Sequence, residues 1–219
     1  MSQKIATLEK PARRTQAERR DESGRGLVEA AIALVAEEGV SAATFEAIGR
    51  KGGYSRGLAA QRFGSKQGFI EAVINHLHGQ LETKTVHKRI DEMPGLEALL
   101  TFVDSYLRNL SRKGEVRAYF MLLSSAVADL SPVRVAFAAE HERTKKRLES
   151  IVRRGQAQGN IRNEIDATAA ALMIGSQLFG VSMQLLVDPA LNLDPVRKTI
   201  VTTLRTSFAA ERKPRRRPK

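Results

Sequence analysis

Apolar residues recur along most of this chain at the three- and four-residue spacing of an α-helix. The first stripe lies in residues 24–38 and is followed by Gly39; its members are Leu27, Ala31, Leu34 and Val35. Further segments with helical spacing follow in residues 65–90, 99–110, 115–128, 131–159, 167–187 and 195–210; the one over 131–159 has a strongly charged middle. No segment shows the alternation of apolar and polar residues that is typical of a half-buried strand. The pattern therefore predicts an all-α fold.

Residues 44–66 predict two short helices joined by a tight turn. Thr44 can cap the first helix, because its hydroxyl can accept hydrogen bonds from backbone N–H groups two or three residues on. The glycine pair at 52–53 ends that helix, since glycine tolerates the left-handed geometry of a helix stop. Ser55 can cap the second helix, over residues 56–63. This order of elements is the outline of a DNA-reading helix-turn-helix.

Positive charge is concentrated in the same block. Its one acidic residue, Glu46, stands against five basic residues, which are Arg50, Lys51, Arg56, Arg62 and Lys66. A net charge of +4 on so small a unit suits a polyphosphate partner. Behind the pair, Ser65 can cap a third, longer helix that connects the block to the rest of the chain.

The spacing of these landmarks resembles the TetR/AcrR family of bacterial transcriptional repressors. The resemblance begins near Gly24 and includes the sequences EEGV, SRG and FGSK at residues 37–40, 55–57 and 63–66. It implies that the helix over residues 55–63 enters the major groove and that the start of the next helix, at Ser65 and Lys66, lies on a phosphate. It also implies a homodimer and a small-molecule effector whose binding weakens the hold on DNA.

Three positions depart from the family pattern. The sequence LAA at residues 58–60 replaces the usual Thr-Leu-Tyr, and so removes a tyrosine that commonly contacts the DNA backbone. Arg62 stands where histidine is frequent, and Tyr54 stands where a small aliphatic residue is usual. The base-reading residues therefore do not transfer directly from the family to this chain.

The predicted DNA-binding residues are Thr44, Ser55, Arg56, Gly57, Ala60, Gln61, Arg62 and Lys66. Arg56 and Lys66 lie in first helical turns and are expected to contact the DNA backbone. Gln61 and Arg62 are the expected polar base readers, because glutamine pairs with adenine and arginine with guanine in the major groove. The small apolar residues at 58–60 either approach a thymine methyl group or pack against the first helix.

The net charge of the chain is +12, and most of it lies at the two ends. Residues 1–20 contain six basic and two acidic residues, and residues 212–219 contain six basic residues and no acidic one. The body between them is almost neutral. Such terminal runs are either solvated and disordered or, for the N-terminal arm, follow the DNA backbone or minor groove.

The sequence contains no cysteine, which excludes disulfides, thiolate metal sites and a cysteine nucleophile and fits a reducing cytoplasm. No signal peptide is visible at the N-terminus, and no window reaches the ~18 uninterrupted apolar residues of a membrane span. We therefore expect a cytoplasmic protein without a membrane partner. No phosphate-binding loop, metal-ligand cluster or cofactor motif is apparent, so no metal and no cofactor are expected.

Residues 53–57, GYSRG, match the G-x-S-x-G pattern of serine hydrolases. A nucleophile elbow requires a strand before the serine, whereas a helix is predicted before Ser55. We therefore interpret this serine as a helix cap. His76 and His78 are two residues apart on a helix, so they face different directions and form a poor metal pair. An enzymatic function is disfavoured.

The segment 167–187 is apolar on nearly all sides, and such a helix must be covered on more than one side. A second subunit is the simplest cover in a chain of this size; the alternative is a central core helix of a monomer. The family resemblance implies the same place, since the last two helices of each subunit form the dimer interface there. The predicted interface residues are Leu178, Val181, Leu185, Val201, Leu204 and Phe208.

These observations predict a homodimeric transcriptional regulator that binds a double-stranded DNA operator. The expected parts are a basic arm (residues 1–20), a DNA-binding domain (21–66) with a linking helix (65–90), an effector-binding and dimerisation domain (67–211) and a basic tail (212–219). Candidate effector contacts are Phe102, Tyr106, Phe120, Met121, Ser124, Gln177 and Phe179. Two alternative functions remain: a non-specific basic DNA-binding protein, and a helical ligand-binding protein with weakened operator recognition.

Overall fold

The computed structural model describes residues 15–81, 89–110 and 114–211, and within these ranges the regular structure is helical. The main helices are α1 (Gln16–Glu38), α2 (Phe45–Gly52), α3 (Arg56–Phe63), α4 (Lys66–Leu81), α5 (Gly95–Leu110), α6 (Gly114–Ala128), α7 (Arg134–Ala157), α8 (Ala167–Val187) and α9 (Leu193–Phe208). A short helical stretch covers residues 89–92, and a 3-10 turn lies at Val40–Ala42. In the same ranges, Ile161 and Ala209 form an isolated antiparallel bridge. The predicted all-α fold is confirmed.

Helix α1 begins at Gln16, well before residue 24, where its apolar stripe starts. Thr15 and Glu18 form a capping box, in which the Glu18 N–H donates to Thr15 Oγ1 at 3.2 Å and the Thr15 N–H donates to Glu18 Oε2 at 2.7 Å. Residues 15–22 are exposed, so apolar periodicity could not reveal them. Residues 16–20, which we assigned to the N-terminal arm, are therefore helical, and residues 1–14 lie outside the described part of the chain.

Other helix starts test the capping predictions. Ser65 precedes α4 as predicted, and its Oγ accepts from the Gly68 N–H at 3.0 Å. Helix α7 begins at Arg134 rather than at Ser131, because the serine and the proline after it form a separate turn. Helix α9 begins at Leu193, two residues before the predicted segment 195–210, and Asn192 caps it by accepting from the Asp194 N–H at 3.1 Å. The basic tail over residues 212–219 lies outside the described residues.

Side chains of α1, α2, α3, α4 and α6 share one apolar core, which we call the first core. Helix α6 packs along α1 and also contacts α4. The residues that α6 and the start of α7 add to this core are Ala118, Phe120, Leu122, Leu123, Ala126, Val133 and Phe137. The helix-turn-helix block is therefore closed by a helix from the C-terminal part of the chain.

Helices α5, α7, α8 and α9 enclose the second core. Its fully buried large side chains include Leu99, Leu107, Leu148, Ile161 and Ile174. Helix α9 lies along α5, where Arg205 Nη1 is 2.8 Å from Glu97 Oε1 and Arg197 pairs with Asp104. Helix α5 belongs to the second core, whereas the next helix along the chain, α6, belongs to the first.

Two glycines bring α5 and α7 into direct backbone contact. A Cβ on Gly95 would stand 2.3 Å from the Gly155 Cα, closer than any side chain could tolerate. The start of α5 is also held by the end of α7, since the Gly95 N–H donates to Gln158 Oε1 at 2.8 Å and the Leu96 N–H to Asn160 Oδ1 at 2.9 Å. These contacts hold the start of α5 against the C-terminal end of α7.

Gly95→Ala is expected to lower the free energy of unfolding by roughly 1–3 kcal/mol, because the added methyl group meets backbone that cannot move aside. Gly114→Ala is the matched control, since Gly114 is also the first residue of a helix and its nearest neighbour would be the Ala36 Cβ at 3.5 Å. Urea unfolding at one protein concentration measures both. Equal stability of the two variants would contradict the close contact at Gly95.

Candidate nucleic-acid interface

The helix pair α2–α3 is set by its caps and its turn. The Ala47 N–H donates to Thr44 Oγ1 at 3.1 Å, and the Leu58 N–H donates to Ser55 Oγ at 3.1 Å. Gly53 is left-handed, with a φ of +76°, a conformation that the missing Cβ allows. The capping and turn roles predicted for Thr44, Gly53 and Ser55 are confirmed. Contacts of these residues with DNA stay predictions.

Helix α3 has one face towards the protein and one towards solvent. Ala59 and Phe63 are buried in the first core, where the Phe63 and Phe45 rings stack with centroids 6.3 Å apart. Leu58 is partly buried against the same core. Packing is therefore the observed role of Leu58 and Ala59. The opposite face carries the exposed Arg56, Gly57 and Gln61, with the partly buried Ala60 at its edge.

The five basic side chains of this block do not all point the same way. Lys51 forms an ion pair with Glu37 at the end of α1, with Nζ and Oε2 2.6 Å apart. Arg62 folds back onto α1, where a Cβ on Gly24 would stand 3.0 Å from its guanidinium atoms. Arg62 is exposed, but its guanidinium lies beside α1 rather than extending straight out from α3. Its base-reading role stays a prediction. Arg50, Arg56 and Lys66 are also exposed.

Tyr54 occupies a slot between α1 and α2. A Cβ on Gly26 would stand 3.0 Å from the Tyr54 hydroxyl oxygen, and a Cβ on Gly52 would stand 3.1 Å from its ring. The Tyr54 N–H donates to the Gly49 carbonyl at 2.8 Å and so closes the turn. Glycine at positions 26 and 52 makes room for this large side chain in the turn.

A group of hydroxyls lies between α5, α6 and α8. Ser182 is buried and donates to the Leu178 carbonyl at 2.8 Å. Because a serine has a single hydroxyl proton, the Tyr106 hydroxyl, 3.1 Å away, is the donor of the bond between them. Ser124 donates to the Phe120 carbonyl at 2.8 Å. The hydroxyl protons are thus in use, and the remaining hydrogen-bonding capacity consists of lone pairs that accept.

Aromatic rings border these hydroxyls. The Phe179 ring meets Phe120 edge-on at 5.6 Å and His141 at 6.1 Å, and the Tyr119 ring meets both Phe120 and Phe137 at 5.2 Å between centroids. Burial raises the pKa of the Tyr119 phenol and lowers the pKa of the His141 imidazole. Both shifts favour the uncharged forms at neutral pH.

The structure brings together four of the seven predicted effector contacts. With Ser182 they form what we call the interior group, in which Phe179 is the partly exposed member at the edge: Tyr106, Phe120, Ser124, Phe179 and Ser182. Phe102 and Met121 are partly buried against the second and the first core, respectively. Gln177 is exposed on the outer side of α8, which does not support its predicted role. Ser182 was missed, because nothing local indicates which polar residue of an apolar helix faces inward.

Helix α8 leaves much of its apolar surface uncovered. Only 28% of its most apolar 18-residue window is buried, and Leu172, Met173 and Phe179 are 61%, 46% and 38% exposed. Its length and composition would also allow it to cross a membrane. A single helix of this kind is weak evidence for a membrane span, because core helices of soluble proteins meet the same criteria.

Three of the predicted interface residues lie inside the chain instead. Leu178, Leu204 and Phe208 are buried in the second core, and the other three are partly buried against it: Val181, Leu185 and Val201. The apolar helix α8 has no polar face to indicate its orientation, which explains the error at Leu178. The apolar face of α9, with Leu204 and Phe208, covers the second core instead of a second subunit. The uncovered side of α8 is the one that carries Leu172 and Met173.

Two features of the described residues bear on metal binding and on serine chemistry. No group of three or more His, Cys, Asp or Glu residues there is placed to hold a metal ion. Ser55, the serine of GYSRG, follows helix α2 and a turn rather than a strand, and its hydroxyl accepts from the Leu58 N–H. The geometry of a nucleophile elbow is therefore absent at this serine.

Residues 27–73 match the family model described as bacterial regulatory proteins, tetR family. This part of the chain therefore resembles the DNA-binding domain of TetR-family regulators. The matched range runs from the middle of α1 into α4 and includes both caps of the helix-turn-helix. No curated protein sequence matches the chain.

Solved structures match the fold over most of the chain. NalD from Pseudomonas aeruginosa, the secondary repressor of the MexAB-OprM multidrug efflux pump, has a TM-score of 0.70 at 18% identity over 88% of this chain and 98% of its own. The SmeT–triclosan complex has a TM-score of 0.70 at 21% identity, over 90% and 100%. AibR with isovaleryl coenzyme A and operator DNA has a TM-score of 0.67 at 15% identity, over 83% and 97%. These similarities establish the fold.

Ser55→Ala is expected to lower the free energy of unfolding by about 0.5–2 kcal/mol, because the short helix α3 loses its N-cap hydrogen bond. Ser41→Ala is the control, since Ser41 is an exposed residue of the 3-10 turn. Thermal unfolding followed by circular dichroism compares the two. A Ser55→Ala variant as stable as the control would contradict the capping role.

Proposed function

We propose that this chain is a homodimeric DNA-binding transcriptional regulator of the TetR family, and that it acts as a repressor. The outer face of α3 carries the proposal: it exposes Arg56, Gly57 and Gln61, while the opposite face is locked into the first core. A helix held in this way fits the major groove. Two copies would place their α3 helices about one DNA turn apart, ~34–36 Å, and read a near-palindrome. That NalD is a repressor supports the direction of regulation.

The effector site of this proposal is the interior group. Helix α6 carries Phe120 and Ser124 of that group, and its Leu122 belongs to the core shared with α1. An effector that displaces α6 would therefore shift the population away from the DNA-binding arrangement and release the operator. Aromatic rings and accepting lone pairs suit an uncharged, largely apolar molecule that donates a hydrogen bond. The SmeT and AibR complexes support small-molecule binding in this fold.

The second subunit would cover the exposed side of α8. Leu172 and Met173 stand there beside small residues, and two copies of one helix can approach closely where side chains are small. We expect binding rather than catalysis, without a cofactor, and a cytoplasmic location as for TetR-family regulators. Leu178 is unsuitable for testing the interface, since a charge there would disrupt the second core.

Leu172→Glu or Met173→Glu is expected to convert a wild-type dimer into a monomer at micromolar concentration, because each would bury an unpaired charge at a cost of several kcal/mol. Val135→Glu is the control, since Val135 is 74% exposed at the start of α7. Analytical ultracentrifugation gives the masses. A monomeric wild type, or variants that stay dimeric, would refute this interface.

Selection of bound fragments from the source genome tests the proposal as a whole. It should enrich a near-palindromic duplex, and Arg56→Ala and Lys66→Ala should each weaken binding to every duplex and reduce the salt slope by about 1, because each removes one phosphate contact. Lys146→Ala, at an exposed position of α7, is the control. Binding without sequence preference would favour the non-specific DNA binder, and no DNA binding would favour the pure ligand-binding protein.

A further inference from the structure

Helix α1 contains two glycines, Gly24 and Gly26, within its helical interior. Glycine weakens a helix relative to alanine because the unfolded chain loses more conformational freedom. Neither residue has a positive φ, so the backbone conformation does not explain them. What they share is a side chain from the helix-turn-helix packed directly on the backbone.

The side chains in question are Arg62 from α3 and Tyr54 from the turn. Three atoms of the Arg62 guanidinium group lie 3.0 Å from the place a Gly24 Cβ would occupy. The Tyr54 hydroxyl oxygen lies 3.0 Å from the corresponding place at Gly26, and its ring is closed from the other side by Gly52. An alanine at 24 or 26 would make contacts tighter than side chains normally make.

We infer that these two glycines form a socket that fixes α3 against α1 through Arg62 and Tyr54, and that Gln61 is the polar side chain left to read bases. Arg62 is then a positioning residue. The inference rests on the proposed function for its DNA part, whereas the socket itself is a property of the protein alone.

The helical spacing of α3 agrees with this assignment. Gly57, Ala60 and Gln61 are related by three and four residues and share one face, whereas Ala59 and Phe63 share the buried face. Gln61 is the one long polar side chain on that outer face beyond the first turn, and glutamine reads adenine through its N6 and N7 atoms. The small neighbours let the backbone of α3 approach the base edges closely.

The socket is tested first without DNA, by a double-mutant cycle of Gly24→Ala and Arg62→Ala in the full-length protein. Alanine favours the helix, but in the wild type it must displace Arg62. We therefore expect Gly24→Ala to raise the melting temperature by about 2–4 °C more in the Arg62→Ala background than in the wild type. Additive effects would overturn the socket whether or not the protein binds DNA.

The base-reading part is tested with a duplex selected from random-sequence DNA by the wild-type chain, together with all its single-base variants. Gln61→Ala should lose roughly 5- to 150-fold in affinity and relax one base position in each half-site. Arg62→Ala should weaken binding to all duplex variants equally, with an unchanged salt slope.

Two results for Arg62→Ala would overturn the assignment. Loss of preference at one base position would make Arg62 a base reader, and a salt slope reduced by about 1 would make it a phosphate contact. Failure to select any duplex would refute the proposed function and leave the melting cycle to decide the socket.

Discussion

The packing of α6 against α1 is the contact on which the rest of this structure depends. Two short and two longer helices bury only a limited share of their apolar surface, so a unit of this size gains stability from an additional cover. Here the cover is the buried side of α6, with Leu122 and Ala118 facing the helices of the DNA-binding block. Because the same helix carries Phe120 and Ser124 of the interior group, the block that would hold DNA and the group that would hold an effector share one rigid element. DNA binding and effector binding can therefore be coupled through α6 itself, without a further chain of contacts.

The DNA-binding block itself combines ordinary local signals with two unusual tertiary contacts. Caps at Thr44 and Ser55 and a left-handed Gly53 produce the helix pair, and Phe63 anchors it in the first core. Arg62 and Tyr54 then lie on α1, at positions where glycine leaves space. The Glu37 carboxylate beside Lys51 partly offsets the charge of that lysine at the surface. The charge available to DNA is therefore smaller than the sequence composition indicates, and the part of α3 that remains is compact and contains few polar groups.

The features that the sequence predicts well are those with local causes. Capping serines and threonines, helix-ending glycines and apolar stripes act within a few residues, and they located α2, α3, α4 and most other helices. The start of α1 was missed because its first two turns are exposed and only the Thr15–Glu18 capping box marks them. Contacts between residues far apart in the sequence could not be predicted. For example, the sequence around Gly24 does not indicate that Arg62 will lie on it. For the same reason the apolar helix α8 was recognised, while the side that it turns towards the second core was not, and Leu178, Leu204 and Phe208 were placed in an interface instead of a core.

If α6 joins the two parts of the molecule as described, weakening its contact with α1 must loosen both together. Native-state amide hydrogen exchange on Leu122→Ala measures this directly, since Leu122 is a fully buried residue of the first core. We predict that the opening free energies of amides in α1 and α6 fall by the same amount, about 2–5 kcal/mol, while the sub-global protection of α5 and α9 changes less. Loss of protection in α6 with α1 unchanged would show that the DNA-binding block is stable without it, and would contradict the shared core.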